Sequence, residues 1–62
     1  MKYYATRDNL TRAVLELRDS LRDFQDYGVR VPVPGGGRAW GWIETERPVT
    51  PGLPEALGLV PA

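Results

Sequence analysis

The sequence predicts an α+β fold in one small domain, and three observations carry the prediction. Residues 7–27 repeat apolar side chains at helical spacing, short segments on either side alternate at period two, and a glycine triplet separates the last two of those segments. The expected architecture is one long amphipathic helix packed on a small antiparallel sheet. Its elements run β-α-β-β, its strand order is 2-3-1, and an irregular C-terminal tail completes it.

The first strand is "KYYAT", short and aromatic. The helix follows in "RDNLTRAVLELRDSLRDFQDYG", where Leu10, Val14, Leu17, Leu21 and Phe24 stand four, three, four and three residues apart. Thr6 is the expected N-cap, and Asp8 lies in the first turn, where negative charge suits the helix dipole. Gly28 is placed to end the helix in a left-handed cap. "VRVPV" alternates valines and reads as a second strand. Pro32 cannot donate a ladder hydrogen bond, so that strand belongs at a sheet edge. Pro34 and the glycines turn the chain, and "RAWGWIETE" returns as the third strand. Residues 48–62 form a proline-rich tail that covers the overhanging helix, with a single helical turn opened by Pro54.

Hairpin register decides where Trp40 and Trp42 point. A turn of Pro34 to Gly37 pairs Val33 with Arg38, Val31 with Trp40 and Val29 with Trp42, and sets the tryptophans on the valine face against the helix. A turn of Gly35 to Gly37 pairs Val33 with Ala39, Val31 with Gly41 and Val29 with Ile43, and turns them outward beside Arg30. Burial favours the first register, because tryptophan buries more area than any other side chain and a 62-residue chain has few large ones to spare. The second leaves a Trp-Gly-Trp patch of the kind that anchors interfaces.

Composition narrows the function. The chain has no cysteine and no histidine, which excludes disulfides, thiolate metal sites, cysteine nucleophiles and histidine-based triads. The glycine triplet lacks the Lys-Ser/Thr of a phosphate-binding loop. Glu44 and Glu46 would need a sheltered cleft to do acid–base work, and a chain this size builds little of one. A non-enzyme without cofactor or metal is therefore expected. Eight basic and eight acidic residues cancel, which makes direct nucleic-acid binding the weaker expectation. No segment has the apolar length of a membrane span or of a secretory signal, so a cytoplasmic, monomeric protein is expected.

On the expected helix, Asp8, Arg12, Glu16, Asp19, Asp23 and Asp26 share the polar face. Asp19, Asp23 and Asp26 crowd its C-terminal half, against the helix dipole, and a row of carboxylates can imitate nucleic-acid phosphates. Leu15 breaks into that face and could meet the tail or a partner.

In size, compactness and this acidic helix the chain resembles the anti-defence proteins of phages and mobile elements, the anti-CRISPR inhibitors among them. The resemblance implies a stoichiometric inhibitor that binds a host protein complex and blocks its nucleic-acid-handling surface. Asp19, Asp23 and Asp26 would supply charge complementarity, joined by Trp40 and Trp42 if exposed. The alternatives are a small nucleic-acid-associated regulator using Arg7, Arg18, Arg22, Arg30 and Arg38, and an adaptor that completes a partner's surface.

Overall fold

The computed structural model describes residues 1–35 and 37–62. Its elements are β1 (Lys2–Ala5), α1 (Leu10–Leu17), β2 (Leu21–Pro32), β3 (Arg38–Thr45), α2 (Leu53–Ala56) and β4 (Leu59–Pro61). The four strands form one antiparallel sheet in the order β2-β3-β1-β4. Two interleaved β-α-β units give this order, the split β-α-β topology.

The long helix is not formed. Helix α1 stops at Leu17, where Ser20 N–H bonds the Leu17 carbonyl and Leu21 N–H the Arg18 carbonyl, and the chain leaves as strand β2. Asp19, Ser20, Asp23, Phe24, Asp26 and Tyr27 all have weak helix propensity. The apparent helical spacing of Leu21 and Phe24 comes from a β-bulge. Leu21 pairs with Thr45 and Phe24 with Ile43, because the ladder shifts by one residue between Leu21 and Asp23. One extra residue puts side chains three apart on the same face of a strand.

The N-cap is Asn9 and not Thr6: its side-chain oxygen accepts the Thr11 N–H at 3.1 Å. Asn9→Ala should cost about 1 kcal/mol and lower Tm by roughly 4–8 °C, measured by circular dichroism. Gly28 does take a left-handed conformation (φ 78°), but inside β2, where the Asp26 carboxylate accepts the Gly28 N–H at 2.8 Å. There the sheet pairing breaks again. Tyr27 to Arg30 lie between the pairs Asp26–Gly41 and Val31–Ala39, with Trp40 alone opposite them on β3.

The tail is not irregular. Its last residues form α2 and β4, and β4 pairs with β1 through Tyr3–Pro61, Tyr4–Val60 and Ala5–Leu59. Pro54 lies in the first turn of α2. The Tyr3 hydroxyl accepts the Val49 N–H at 2.9 Å and ties the start of the tail to β1.

One apolar cluster of Tyr3, Ala5, Leu10, Ala13, Leu17, Ile43, Leu57 and Leu59 lies between the sheet and its helices. Ala39, Gly41, Ile43 and Thr45 alternate as the buried residues of β3. The hairpin pairs Val31 with Ala39 and Pro32 with Arg38, and Val33 N–H bonds the Gly37 carbonyl at 3.2 Å, so neither expected register occurs. The expected turns both include Gly36, which lies outside the described residues. The small residues face the helix and the tryptophans face away from it.

Both sheet edges are blunted against strand addition. Edge strand β2 carries Arg22, Asp23, Asp26, Arg30 and Pro32 as well as two register shifts, and β4 is three residues long and ends in Pro61.

Candidate functional site

Helices cover one face of the sheet, with Tyr3 and Phe24 on that side, and the other face carries Tyr4, Trp40 and Trp42. On strands, successive side chains alternate faces, and directly paired residues share one. A row therefore crosses all four strands: Val60 on β4, Tyr4 on β1, Trp42 on β3 and Gln25 on β2. Trp40 stands two residues from Trp42 on the same face of β3. Lys2, Glu44 and Asp23 form a second row beside the first.

Tyr4, Trp40 and Trp42 are half-buried, and Val60 is exposed. The Lys2 ammonium lies 4.5 Å from the centre of the Trp42 ring and 5.7 Å from that of Tyr4. A cation at this range over an exposed aromatic face gains about 0.5–1 kcal/mol. The Trp42 indole N–H donates to Gln25 Oε1 at 3.2 Å. The Trp40 indole nitrogen is buried and has no hydrogen-bond partner among the described residues. From the bulge of β2, Arg30 reaches the Thr6 carbonyl at 3.3 Å, crossing β3 at the level of Trp40.

The acidic residues do not form a stripe. Asp19 is in the turn after α1, and Asp23 and Asp26 lie on opposite faces of β2, paired with Glu44 and Gly41 respectively. Asp23 accepts the Phe24 N–H and Asp26 the Gly28 N–H, each at 2.8 Å, so both carboxylates are partly used in shaping the strand. Of the five residues singled out from sequence, the fold brings together Trp40, Trp42 and Asp23 on the open face.

Sequence reasoning passed over Lys2, Tyr4, Gln25 and Glu44 as site residues. Tyr4 and Glu44 were detectable from alternation: "KYYA" and "RAWGWIET" each set small or core-forming residues against a second series that includes Tyr4, Trp40, Trp42 and Glu44. Gln25 gave no such signal, because its segment read as helix.

Leu15 is not buried against the tail. It is 61 % exposed and walls a shallow hollow of about 270 Å³ with Leu10, Thr11, Val14, Phe24 and Asp26, on the helix side of β2. Among the described residues, no helix is long and apolar enough to cross a membrane.

Fold and site together define a two-layer α+β module with an aromatic open sheet face. A scan of protein-family models and searches of curated proteins and of solved structures found no match to the chain.

Proposed function

We propose that this chain is a non-enzymatic module that binds single-stranded nucleic acid on its open sheet face, as a monomer in the cytoplasm of its host. The carrying observation is the placement of Tyr4, Trp40 and Trp42 on adjacent strands β1 and β3 of the uncovered face. A four-stranded sheet that presents aromatics from its central strands is the general device by which RNA-recognition modules stack bases. The β3 pattern of such modules is basic, Gly, aromatic, Gly/Ala, aromatic, aliphatic, any residue, aromatic. Arg38 to Thr45 read R-A-W-G-W-I-E-T and depart from it at Ala39 and Thr45.

Charge sets the mode of binding. Lys2, Arg30 and Arg38 on this face are largely offset by Asp23 and Glu44, so only a small part of the affinity comes from phosphate neutralisation. Stacking contributes about 1–3 kcal/mol per base and tolerates any sequence. A base that stacks on Trp42 takes the place held by the Lys2 ammonium and frees that cation for a phosphate.

Titration of fluorescently labelled hexanucleotides by anisotropy should show binding, with a salt slope corresponding to about one or two ion pairs. A steep slope with binding retained by a Tyr4→Ala/Trp42→Ala variant would move the site to the arginines elsewhere. The absence of any binding would overturn the proposal.

The balanced charge favours a second reading, an anti-defence inhibitor that docks the same aromatic face on a host nucleic-acid-handling complex. It predicts a protein partner retained after nuclease treatment of a lysate and lost by the Trp42→Ala variant, with no oligonucleotide binding.

A further inference from the structure

Two neighbours of Trp42, one across the sheet and one along its strand, offer opposite hydrogen-bonding character. On one side Gln25 stands directly opposite, with Oε1 accepting the indole N–H at 3.2 Å. An indole nitrogen can only donate, so this bond fixes the amide orientation and leaves the Gln25 NH2 group as a pair of donors with no acceptor among the described residues. Tyr4 takes the side across from Gln25, and Glu44 lies roughly at right angles to that direction, two residues along β3 on the same face and half-buried. Its cross-strand neighbours are Lys2 and Asp23. The Lys2 ammonium is over the aromatic rings, and Glu44 accepts no hydrogen bond from any side chain among the described residues. Glu44 thus presents acceptors only.

We propose that Gln25 and Glu44 make the Trp42 position selective for bases with an exocyclic amino group, guanine first, and against uracil and thymine. This rests on the reading that a base stacks on Trp42. A base stacked on Trp42 can turn two adjacent polar edges to these two side chains. Guanine offers N1–H and the N2 amino group to a carboxylate, and O6 or N7 to an amide donor. Adenine and cytosine each offer one amino group beside a ring or carbonyl acceptor. Uracil has a single N–H between two carbonyl oxygens, so a carboxylate meeting that edge faces at least one oxygen. Selectivity here comes as much from that repulsion as from the bonds guanine gains. The complementarity is between a donor–acceptor pair fixed by the sheet and the edge of one class of base.

The test compares labelled uridine pentamers with G, A, C or U at the centre, bound to the native chain and to Glu44→Gln at low salt. The guanine pentamer should bind at least about fivefold tighter than the all-uridine one, with adenine and cytosine between them. Glu44→Gln should narrow the range to about twofold, because a glutamine offers uracil O4 a donor as well as an acceptor. Gln25→Met removes the amide donors and should narrow it too. Equal binding of all four pentamers by the native chain, or an unchanged ranking in Glu44→Gln, overturns the selectivity and leaves the stacking site standing. No binding by any pentamer overturns both.

Discussion

Gly41→Ala is expected to leave most of the chain unfolded at room temperature, because that position has no space for a methyl group on either side. A Cβ there would collide with the Gln25 carbonyl oxygen, which is backbone, and would come within 2.7 Å of Leu10 Cδ1. Leu10 is 1 % exposed and cannot swing away without opening the core between α1 and β3. Overpacking of a closed site costs about 1–3 kcal/mol where side chains can shift, and more where backbone must move. A core of this size rarely supplies more than about 3–5 kcal/mol in total. The loss therefore approaches the whole stability. A thermal melt followed by circular dichroism should show a weak or absent cooperative transition for the variant. Gly28→Ala is the informative contrast: φ is 78°, but nothing lies within 4 Å of its Cβ, so only the left-handed backbone penalty of about 1–2 kcal/mol applies. A Gly41→Ala variant as stable as Gly28→Ala would show that α1 does not approach β3 this closely.

That close approach explains why the tryptophans point outward when their size argued for the core. The burial argument compared side chains and left out the distance between layers. Leu10 sits almost on the β3 backbone at Gly41, so the helix side of the strand admits Ala39 and Gly41, and the large residues go to the other face. Alternation in β3 was legible in the sequence, but which series faced the helix was not. Both expected registers also assumed unbroken pairing, whereas four residues of β2 bow out opposite Trp40.

The first half of the helical pattern was legible for a sound reason: Leu10 and Leu17 are buried in the core from α1, and Val14 packs against it. Its continuation failed because a bulged strand and a helix both bring residues three apart to one face, and Leu21 and Phe24 satisfy either. Nothing local announced β4. It is three residues long, includes a proline, and is held by β1 from the far end of the chain. Its strand character is imposed by tertiary pairing, which single-sequence patterns do not carry.

The largest expected effect on function is that of Trp42→Ala. Trp42 is the centre of the row that crosses the sheet, between Tyr4 and Gln25, and its ring is already occupied by a cation. It lies outside the buried cluster, so truncation removes a binding surface while Tyr3, Ile43 and Leu10 keep the layers together. Loss of one stacked base costs about 1–3 kcal/mol, or roughly 5- to 150-fold in affinity. Anisotropy with a labelled hexanucleotide should give a loss in that range at low salt, with a thermal transition still present. Trp42→Phe should fall between the two, because it keeps a face for stacking and loses the bond that orients Gln25. The two substitutions separate the roles of the ring and of its N–H. If alanine and phenylalanine weaken binding equally, the indole hydrogen bond matters and the stacking face does not. If neither does, bases do not sit on Trp42, and the nucleic-acid site lies among the arginines elsewhere.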